Sequence, residues 1–403
     1  MNMDKLKRIL CVLLSFCIII GFASCKKDNP DENVTDTPST TQTSNENTKD
    51  EIKALSLNKE YISHYEWYEE TSIMLVRSEY SDVTLDKSME KQYPLLAKTL
   101  SETSAMRKRA MEDEKDNYIS FATEELKKDS ENFSTYVSTL DVQVRRADSI
   151  AVSILEDYGT EGSRSFNGTN YDTESGKELG LADVFVDTSK ISSTVEKEIL
   201  SRIGEDEATG DTAVIEYFKN TPEDSITWTL DYNGVTFYFN PGDIAPTNFG
   251  VQIVTVTFAE YPDLFNEKYT VVPDEYIVSL PVSAPFYTDI TGDKKAEELI
   301  VSGDYDDDTR FYHSISIDSE TLENETEWFS YIEPYYVKTA DGRSYICVFS
   351  VNNEEEGKDF TLSVYELKKG KAKLLSTSKT GLDCKGENIF ALPTNPSELL
   401  SVG

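Results

Sequence analysis

The chain has 403 residues and a formal net charge of −35, from 74 acidic and 39 basic side chains. Nucleic-acid binding needs a basic face that neutralises phosphates, so this composition argues against a nucleic-acid partner. The length is sufficient for two domains of ordinary size. The excess negative charge either attracts a cationic partner at long range or keeps an exposed protein soluble.

The N-terminus has the pattern of an export signal. Lys5, Lys7 and Arg8 precede an uncharged, mostly apolar run over residues 9–23. This run is shorter than the about 20 apolar residues that a membrane-spanning helix needs, so it is typical of the apolar region of a cleavable signal peptide. We therefore predict that residues 1–24 are a signal peptide and are removed.

The cleavage region resembles a bacterial lipobox. Phe22, Ala23 and Ser24 precede Cys25, and in a lipobox small residues precede a cysteine that carries a diacylglycerol. The resemblance implies that Cys25 anchors the protein to the outer face of a membrane, where two acyl chains hold more firmly than one. An ordinary cleavage site that happens to contain a cysteine is the alternative. Because residues 1–24 carry three basic and one acidic side chain, the processed chain has a formal charge of −37.

The segment after the cysteine is polar. Residues 26–49 are mostly Asp, Asn, Thr, Ser, Glu and Pro, and such a composition buries too little apolar surface to offset the entropy of ordering. We predict that residues 25–51 comprise the lipidated cysteine and a disordered linker.

Hydrophobic periodicity predicts three segments after this linker. Residues 52–80 are rich in aromatic and other β-favouring side chains and predict strands. Apolar residues recur near helical spacing over residues 87–133, which predicts one long helix or two with a break. Residues 136–156 alternate apolar and polar side chains, as strands do.

A hairpin follows a short helical stretch at residues 191–202. Residues 226–230 and 235–239 flank Asn233-Gly234, a strong hairpin signal because a type I′ turn needs positive φ at both central residues. A third strand is expected over residues 250–258. Since these strands neighbour one another instead of alternating with crossovers, the pattern predicts an α+β fold with a long helix packed on antiparallel strands.

Four stretches carry a family resemblance. They are Arg-Arg-Ala-Asp-Ser at 145–149, Asn-Tyr-Asp at 170–172, Gly-Lys-Glu-Leu-Gly-Leu-Ala-Asp-Val-Phe at 176–185, and the Phe-Tyr-Phe-Asn-Pro-Gly-Asp segment that begins the stretch 237–250. Together they resemble an extracytoplasmic domain of unknown function that is shared by RsiV-type lysozyme-sensing anti-sigma factors and PdaC-type peptidoglycan deacetylases. The resemblance spans residues 52–280.

The resemblance implies an α+β domain that faces the cell wall and that binds lysozyme in some members. An anti-sigma factor also needs a retained membrane helix and a cytoplasmic domain, and the deacetylase needs a catalytic domain with metal-binding histidines. The sequence predicts neither of these. Residues 159–163 also lack the histidine that the family has before the Asn-Tyr-Asp stretch.

Residues 281–403 have the pattern of a small antiparallel β domain. Asp341-Gly342 and Lys369-Gly370 indicate hairpin turns between its strands. The predicted strands are 298–301, 311–317, 331–337, 344–351, 360–367 and 372–376.

One loop in this region resembles the calcium loops of FG-GAP and propeller-like repeats. In that pattern, side-chain oxygens at positions 1, 3, 5 and 9 surround a cation, which places Asp289, Thr291, Asp293 and Glu297 around it. Oxygen ligands in a flexible loop suit calcium. Thr291 departs from the usual carboxylate or amide, and two lysines follow Asp293, so an acidic turn without a metal is the alternative. One such motif in about 120 residues is too little to form a propeller.

Cys347 and Cys384 are the two cysteines that remain if Cys25 is lipidated and residues 1–24 are removed. A disulfide between them would contribute about 3–4 kcal/mol on the chain-entropy model. Two free buried thiols are the alternative, because both cysteines lie near apolar strand-like stretches.

The sequence does not favour an enzyme. General acid and base catalysis usually draws on histidine, and the chain has only His64 and His313, neither of them in a zinc-binding pattern. The sequence also lacks a nucleophile elbow, a phosphate loop and a dinucleotide-binding motif. A carboxylate pair stays open, because 74 acidic residues always offer some plausible pair.

These observations predict a non-catalytic binding lipoprotein at the cell envelope. A lysozyme-like cationic protein or cell-wall glycan is the expected partner, and Trp67, Tyr68 and the loop within residues 237–249 are the candidate contacts. A cell-wall hydrolase that uses a carboxylate pair is one alternative. A solute-binding lipoprotein is another, although the sequence lacks the βαβ alternation of its two lobes.

Overall fold

A computed structural model provides the structure of the protein, and residues 52–403 form one compact unit in it. The residues predicted to form the signal peptide, the lipidated cysteine and the linker lie outside the described part. Among the described residues, no helix is both long and apolar enough to cross a membrane. The described residues are 52–69, 71–203, 213–306, 311–317, 320–323, 329–354, 357–368, 371–386 and 388–402.

The first sheet has seven strands in the order β18-β19-β1-β2-β3-β4-β5. Neighbouring strands are antiparallel, except that β2 and β3 are parallel. The strands are β1 (Leu57–Trp67), β2 (Met74–Leu85), β3 (Tyr136–Ala147), β4 (Ala151–Thr160), β5 (Ser163–Asp172), β18 (Cys384–Gly386) and β19 (Ile389–Ala391).

A single long helix, α1 (Pro94–Lys128), connects the two parallel strands. Proline suits the first helical turn, where its missing N–H has no intrahelical partner, and two lysines in the last turn complement the helix dipole. Leu96, Leu100 and Met111 are buried against the sheet. The long helix is therefore confirmed as one element. The crossover from β2 to β3 was not expected from the sequence, and parallel pairing requires such a connection.

The second sheet has nine strands, with the main order β10-β11-β12-β14-β15-β16-β17. β13 pairs with β12, and β9 pairs with β14. The strands are β9 (Tyr276–Ser279), β10 (Pro285–Thr288), β11 (Glu297–Asp306), β12 (Phe311–Ile317), β13 (Glu320–Glu323), β14 (Phe329–Lys338), β15 (Ser344–Glu354), β16 (Gly357–Lys368) and β17 (Lys371–Ser378). All six strands predicted after residue 281 are confirmed. The turn predicted at Asp341-Gly342 joins β14 to β15, and the one predicted at Lys369-Gly370 lies outside the described residues.

A third, three-stranded sheet packs with short helices around a separate core. Its aromatic and aliphatic centre includes Phe237, Phe239 and Val254, all at most 1% exposed. The elements are α2 (Leu181–Val184), α3 (Ile191–Ile203), α4 (Ala213–Asn220), β6 (Trp228–Leu230), β7 (Gly234–Phe239), β8 (Gln252–Thr257) and α5 (Glu267–Thr270). The final helix of the described chain, α6 (Pro396–Val402), lies outside this group. The fold is α+β, as the sequence predicted.

The hairpin predicted at Asn233-Gly234 is confirmed, but its type I′ turn is wrong. Neither residue has positive φ, and the turn is closed by the N–H of Asp231 donating to the carbonyl of Gly234 at 2.8 Å. Glycine is needed here for a different reason. A Cβ on Gly234 would lie 2.3 Å from the carbonyl oxygen of Val256 on the adjacent strand.

The boundary predicted between residues 280 and 281 lies inside the compact unit. β9 precedes this boundary but pairs with β14 of the second sheet. β18 and β19 follow the second sheet in the chain, yet β19 pairs with β1, where Asn58 is opposite Ala391. The two sheets also share one core, in which Leu57 and Val337 are both buried. The strands of the two predicted domains therefore interlock.

Candidate functional site

The predicted calcium loop joins β10 to β11. Asp289, Asp293 and Glu297 each place a carboxylate oxygen within 4.8 Å of the others. The sharp turn between them depends on positive φ, 83° at Gly292 and 74° at Lys294. The structure therefore brings together three of the four predicted ligand residues.

Backbone N–H groups hold these carboxylates in place. Asp289 accepts hydrogen bonds from the N–H groups of Gly292 at 2.5 Å and Lys294 at 2.9 Å. Glu297 accepts from the N–H of Ile290 at 2.6 Å, and the hydroxyl of Thr291 donates to Glu297 at 2.7 Å. The fourth predicted residue thus lies beside the group. Three carboxylates converging in one partly exposed loop have the oxygen chemistry that calcium prefers, and calcium binding stays a prediction.

A second polar group lies between the two large sheets, and no sequence pattern indicated it. The Lys59 side chain is 1% exposed, and its Nζ lies 2.7 Å from Asp141 Oδ1 and 2.8 Å from Glu333 Oε1. The hydroxyl of Tyr335 donates to Glu333 at 2.9 Å, and the hydroxyls of Tyr61 and Tyr331 also donate to it. We call these six residues the inter-sheet cluster.

The inter-sheet cluster pairs one buried cation with two carboxylates. Loss of hydration alone would raise the pKa of Asp141, but the charge of Lys59 and hydrogen bonds from Lys59, Gln143 and Ser81 lower it below the ordinary value. The same two carboxylates raise the pKa of Lys59 in spite of its burial. The cluster is therefore an ionised network that connects the two sheets.

Asp141 and Asp157 are one neighbouring pair of carboxylates that bears on the alternative hydrolase prediction. They lie directly opposite each other on β3 and β4. Each already binds a cation, since Asp141 contacts Lys59 and Asp157 accepts hydrogen bonds from Nε (2.8 Å) and Nη2 of Arg164. Their geometry accounts for two ion pairs, and hydrolysis by this pair stays a prediction.

The Arg-Arg-Ala-Asp stretch that carried the family resemblance is buried and makes internal contacts. Arg145 donates from Nε and Nη2 to Asp231, at 3.2 and 2.8 Å. Arg146 donates to Asp148 at 2.8 Å and to the carbonyl of Tyr269 at 2.7 Å. These two arginines therefore connect β3 to the small third sheet and to α5. The stretch therefore has a structural role in this chain.

The Asn-Tyr-Asp stretch is also structural. Asn170 donates to the carbonyl of Trp228 at 3.0 Å and accepts from the N–H of Leu230 at 2.7 Å, which ties β5 to β6. The backbone of Trp228 approaches β5 so closely at Gly168 that only glycine fits, because a Cβ there would lie 2.2 Å from the carbonyl oxygen of Trp228. These contacts position the third sheet against the first.

The possible disulfide between Cys347 and Cys384 is not formed, and both are free thiols. Cys347 lies on β15 of the second sheet, whereas Cys384 lies on β18 of the first. Burial raises the pKa of the Cys347 thiol to about 12, so this thiol is protonated at neutral pH. Cys384 is exposed, which also corrects the alternative of two buried thiols.

The predicted aromatic contacts divide into exposed and buried residues. Trp67 is 41% exposed at the end of β1, and Tyr65 on the same strand is 46% exposed. Within the predicted loop, Phe249 is 50% exposed while Phe237 and Phe239 are buried in the core of the third sheet. Tyr65, Trp67 and Phe249 are therefore exposed aromatic side chains among the described residues at or beside the predicted contacts.

Comparison with known families matches a segment that contains the third sheet and the helices α3 and α4. Residues 182–259 match a family described as "Protein of unknown function (DUF3298)". The match lies within the stretch 52–280 that carried the resemblance. No curated protein matches the chain.

Two solved structures of this family are similar to the chain. A DUF3298 family member from Bacteroides fragilis is 14% identical, with a TM-score of 0.41, and the match covers 54% of this chain and 96% of that one. A DUF3298 family protein from Pseudomonas aeruginosa is also 14% identical, with a TM-score of 0.32, over 53% of this chain and 96% of that one.

Proposed function

We propose that this protein is an anchored extracytoplasmic binding module whose partner is a cationic protein. The observation that carries the proposal is the location of its negative charge. Deeply buried cations have carboxylate partners, as in the pairs Arg145 with Asp231 and Arg146 with Asp148. Because such pairs are neutral, the excess charge of the processed chain, −37, falls mainly on the surface. A surface of one sign speeds encounter with a partner of the opposite sign.

Exposed aromatic side chains supply contact area for such a partner. Trp67, Tyr65 and Phe249 are all more than two-fifths exposed. Aromatic residues are enriched at the energetic centres of protein interfaces, since they bury a large apolar area and keep a polar edge. A lysozyme-like protein is the sharpest choice of partner, because the family resemblance and the charge both favour it. Cell-wall glycan is the second choice.

The anchor in this proposal is a lipid on Cys25. It is supported by the apolar run over residues 9–23 and the small residues that precede the cysteine. Labelling of cells with a fatty-acid probe tests the anchor, because a Cys25→Ser change should abolish the label on the protein.

Calorimetric titration of residues 26–403 with lysozyme tests the proposed function. We expect saturable binding at low salt that weakens about tenfold or more, but persists, at physiological salt, because screening shortens the range of the attraction to about 8 Å. An acidic protein of similar size serves as the control and should give no heat of binding. If lysozyme at low salt also gave none, the cationic-protein proposal would be wrong and titration with wall fragments would follow.

A further inference from the structure

The sequence is locally basic at one edge of the second sheet. Residues 367–382 contain five lysines and no acidic residue, in a chain in which acidic residues outnumber basic ones almost two to one. Their centre is β17, which pairs with β16 at the end of the strand order of the second sheet. Lys371 and Lys373 on this strand are both exposed.

Two adjacent leucines on the same strand also point outward. Leu374 is 47% exposed and Leu375 is 49% exposed. A bulge explains this departure from alternation, since Leu374 is opposite Tyr365 and Ser376 is opposite Val364, which leaves Leu375 without an opposite residue. We call Lys371, Lys373, Leu374 and Leu375 the lysine edge.

We propose that the lysine edge docks the folded unit onto anionic lipid headgroups. Lysines attract an anionic bilayer surface, and two exposed leucines can enter the boundary between headgroups and acyl chains. The remaining surface carries an excess of negative charge, so an anionic bilayer repels it. The lysine edge is thus the face that approaches such a bilayer most favourably, which would orient the protein on the membrane.

An alternative occupant is a second copy of this chain that pairs with β17. Lysines on an edge strand oppose this pairing, and a bulge twists the edge away from a partner strand. Those two features do not account for the exposed leucine pair. Contact with a bilayer accounts for the lysines and the leucines together.

The predicted linker between Cys25 and the folded unit strengthens this inference. This step alone rests on the proposed lipidation of Cys25. Residues 26–51 would span roughly 28 Å as a flexible chain, at about 5–6 Å times the square root of the residue number. A short flexible tether of this kind raises the effective concentration of a second site to about the millimolar range. Weak docking would therefore suffice on an anchored protein.

Co-sedimentation of residues 26–403 with lipid vesicles tests the proposal without the anchor. Vesicles with about one-third phosphatidylglycerol are compared with vesicles of phosphatidylcholine alone, at low salt and with a chelator that removes bridging calcium. The variants are Lys371→Gln with Lys373→Gln, and Leu374→Ser with Leu375→Ser. The matched control is Lys127→Gln with Lys128→Gln, an exposed pair at the end of α1.

We expect binding to the anionic vesicles only. The lysine variant should bind about 5- to 25-fold more weakly, because each lysine near an anionic surface contributes roughly a fivefold factor, and the leucine variant should also lose affinity. The control variant should stay within about twofold of the unchanged protein.

Absence of binding to anionic vesicles, or equal loss in the control variant, would overturn the proposal. Self-association that the leucine variant abolishes, without vesicle binding, would overturn it in favour of a second copy. Lysozyme binding is measured separately, so failure of either proposal is distinguishable.

Discussion

Lys59 shows how one buried charge joins distant parts of the chain. Its Nζ contacts Asp141 on β3 and Glu333 on β14, which lie far apart in the sequence. A buried ion pair is costly to leave half complete, because the remaining charge keeps its desolvation penalty. The residue therefore matters most through the two carboxylates that it contacts.

We predict that Lys59→Met lowers the free energy of unfolding by about 3–5 kcal/mol at pH 7. In the unchanged protein the pKa of Asp141 is lowered, so its contribution is present above its unfolded pKa near 4 and is lost as the pH falls through the folded value. Loss of Lys59 removes the charge and the hydrogen bond that lower this pKa, so the pKa rises and protonation at low pH then relieves the unpaired charge. The deficit of the variant should therefore be smaller at pH 5 than at pH 7.

Urea unfolding of both proteins at the two pH values measures this difference. Lys98→Met is a suitable control, because Lys98 is exposed on α1 and its contact with Glu102 is a surface pair. A Lys59→Met deficit that does not change with pH would contradict a rise in the pKa of Asp141 on loss of Lys59.

Single glycines also show what a sequence pattern leaves undecided. The Asn233-Gly234 pair predicted a hairpin correctly, but Gly234 is required by the close approach of β8 and not by a positive φ. Local propensity indicates where the chain turns. The neighbouring strand decides which residue fits there.

Helix α1 is held to the first sheet by charged contacts as well as by apolar ones. Arg107 is buried between the helix and the sheet, where it donates to Asp82 at 2.9 Å and also to Glu156. Lys108 lies 2.6 Å from Glu60 on β1. Periodicity alone predicts a purely apolar face, and the buried arginine has partners only because two separate strands, β2 and β4, supply Asp82 and Glu156.

The loop between β10 and β11 gives a prediction at the scale of one element. Calcium should raise the melting temperature of residues 26–403 by a few degrees, because a ligand at one hundred times its Kd stabilises the folded state by about 2.7 kcal/mol. Asp293→Asn should remove most of this shift, since Asp293 is one of three converging carboxylates. Thermal unfolding with calcium and with a chelator measures it.

Asp263→Asn is the matched control for this loop, because Asp263 is exposed and lies outside the carboxylate group. It should leave the calcium shift unchanged. A shift that persists in Asp293→Asn would place any bound calcium elsewhere.

At the scale of the whole molecule, the two large sheets stabilise each other through the chain termini of the compact unit. β19 lies next to β1 at the start of the unit, and Leu392 and Leu399 that follow it are buried. Conversely, β9 precedes residue 281 in the chain but pairs with β14 of the second sheet. Cooperative unfolding of residues 52–403 follows from this exchange of strands.

We predict that removal of residues 380–403 lowers the free energy of unfolding by about 3–6 kcal/mol. The estimate counts Leu392 and Leu399 alone, at about 1.5–3 kcal/mol for each buried leucine. Removal of residues 26–51 is the matched control and should change stability little. Urea unfolding of the two truncated chains measures both, and equal stability of the chain that ends at residue 379 would show that the two parts are separable.

The sequence by itself determined the class of fold and most of its elements. Alternation and helical spacing are properties of neighbouring residues, so the long helix, the hairpin after residue 226 and the strands after residue 281 were all predictable from local pattern. The ligand residues of the candidate calcium loop were predictable for the same reason, because they lie within nine consecutive positions. Net charge was likewise independent of the fold.

Only the tertiary structure decided which strands meet. The parallel pairing of β2 with β3, the return of β19 to β1 and the inter-sheet cluster all join residues far apart in the chain. No local pattern encodes such pairings, because the pairing that forms is the one that gives the whole folded chain the lowest free energy. For the same reason, local pattern left a disulfide between Cys347 and Cys384 open, and the structure has two separate thiols in different sheets.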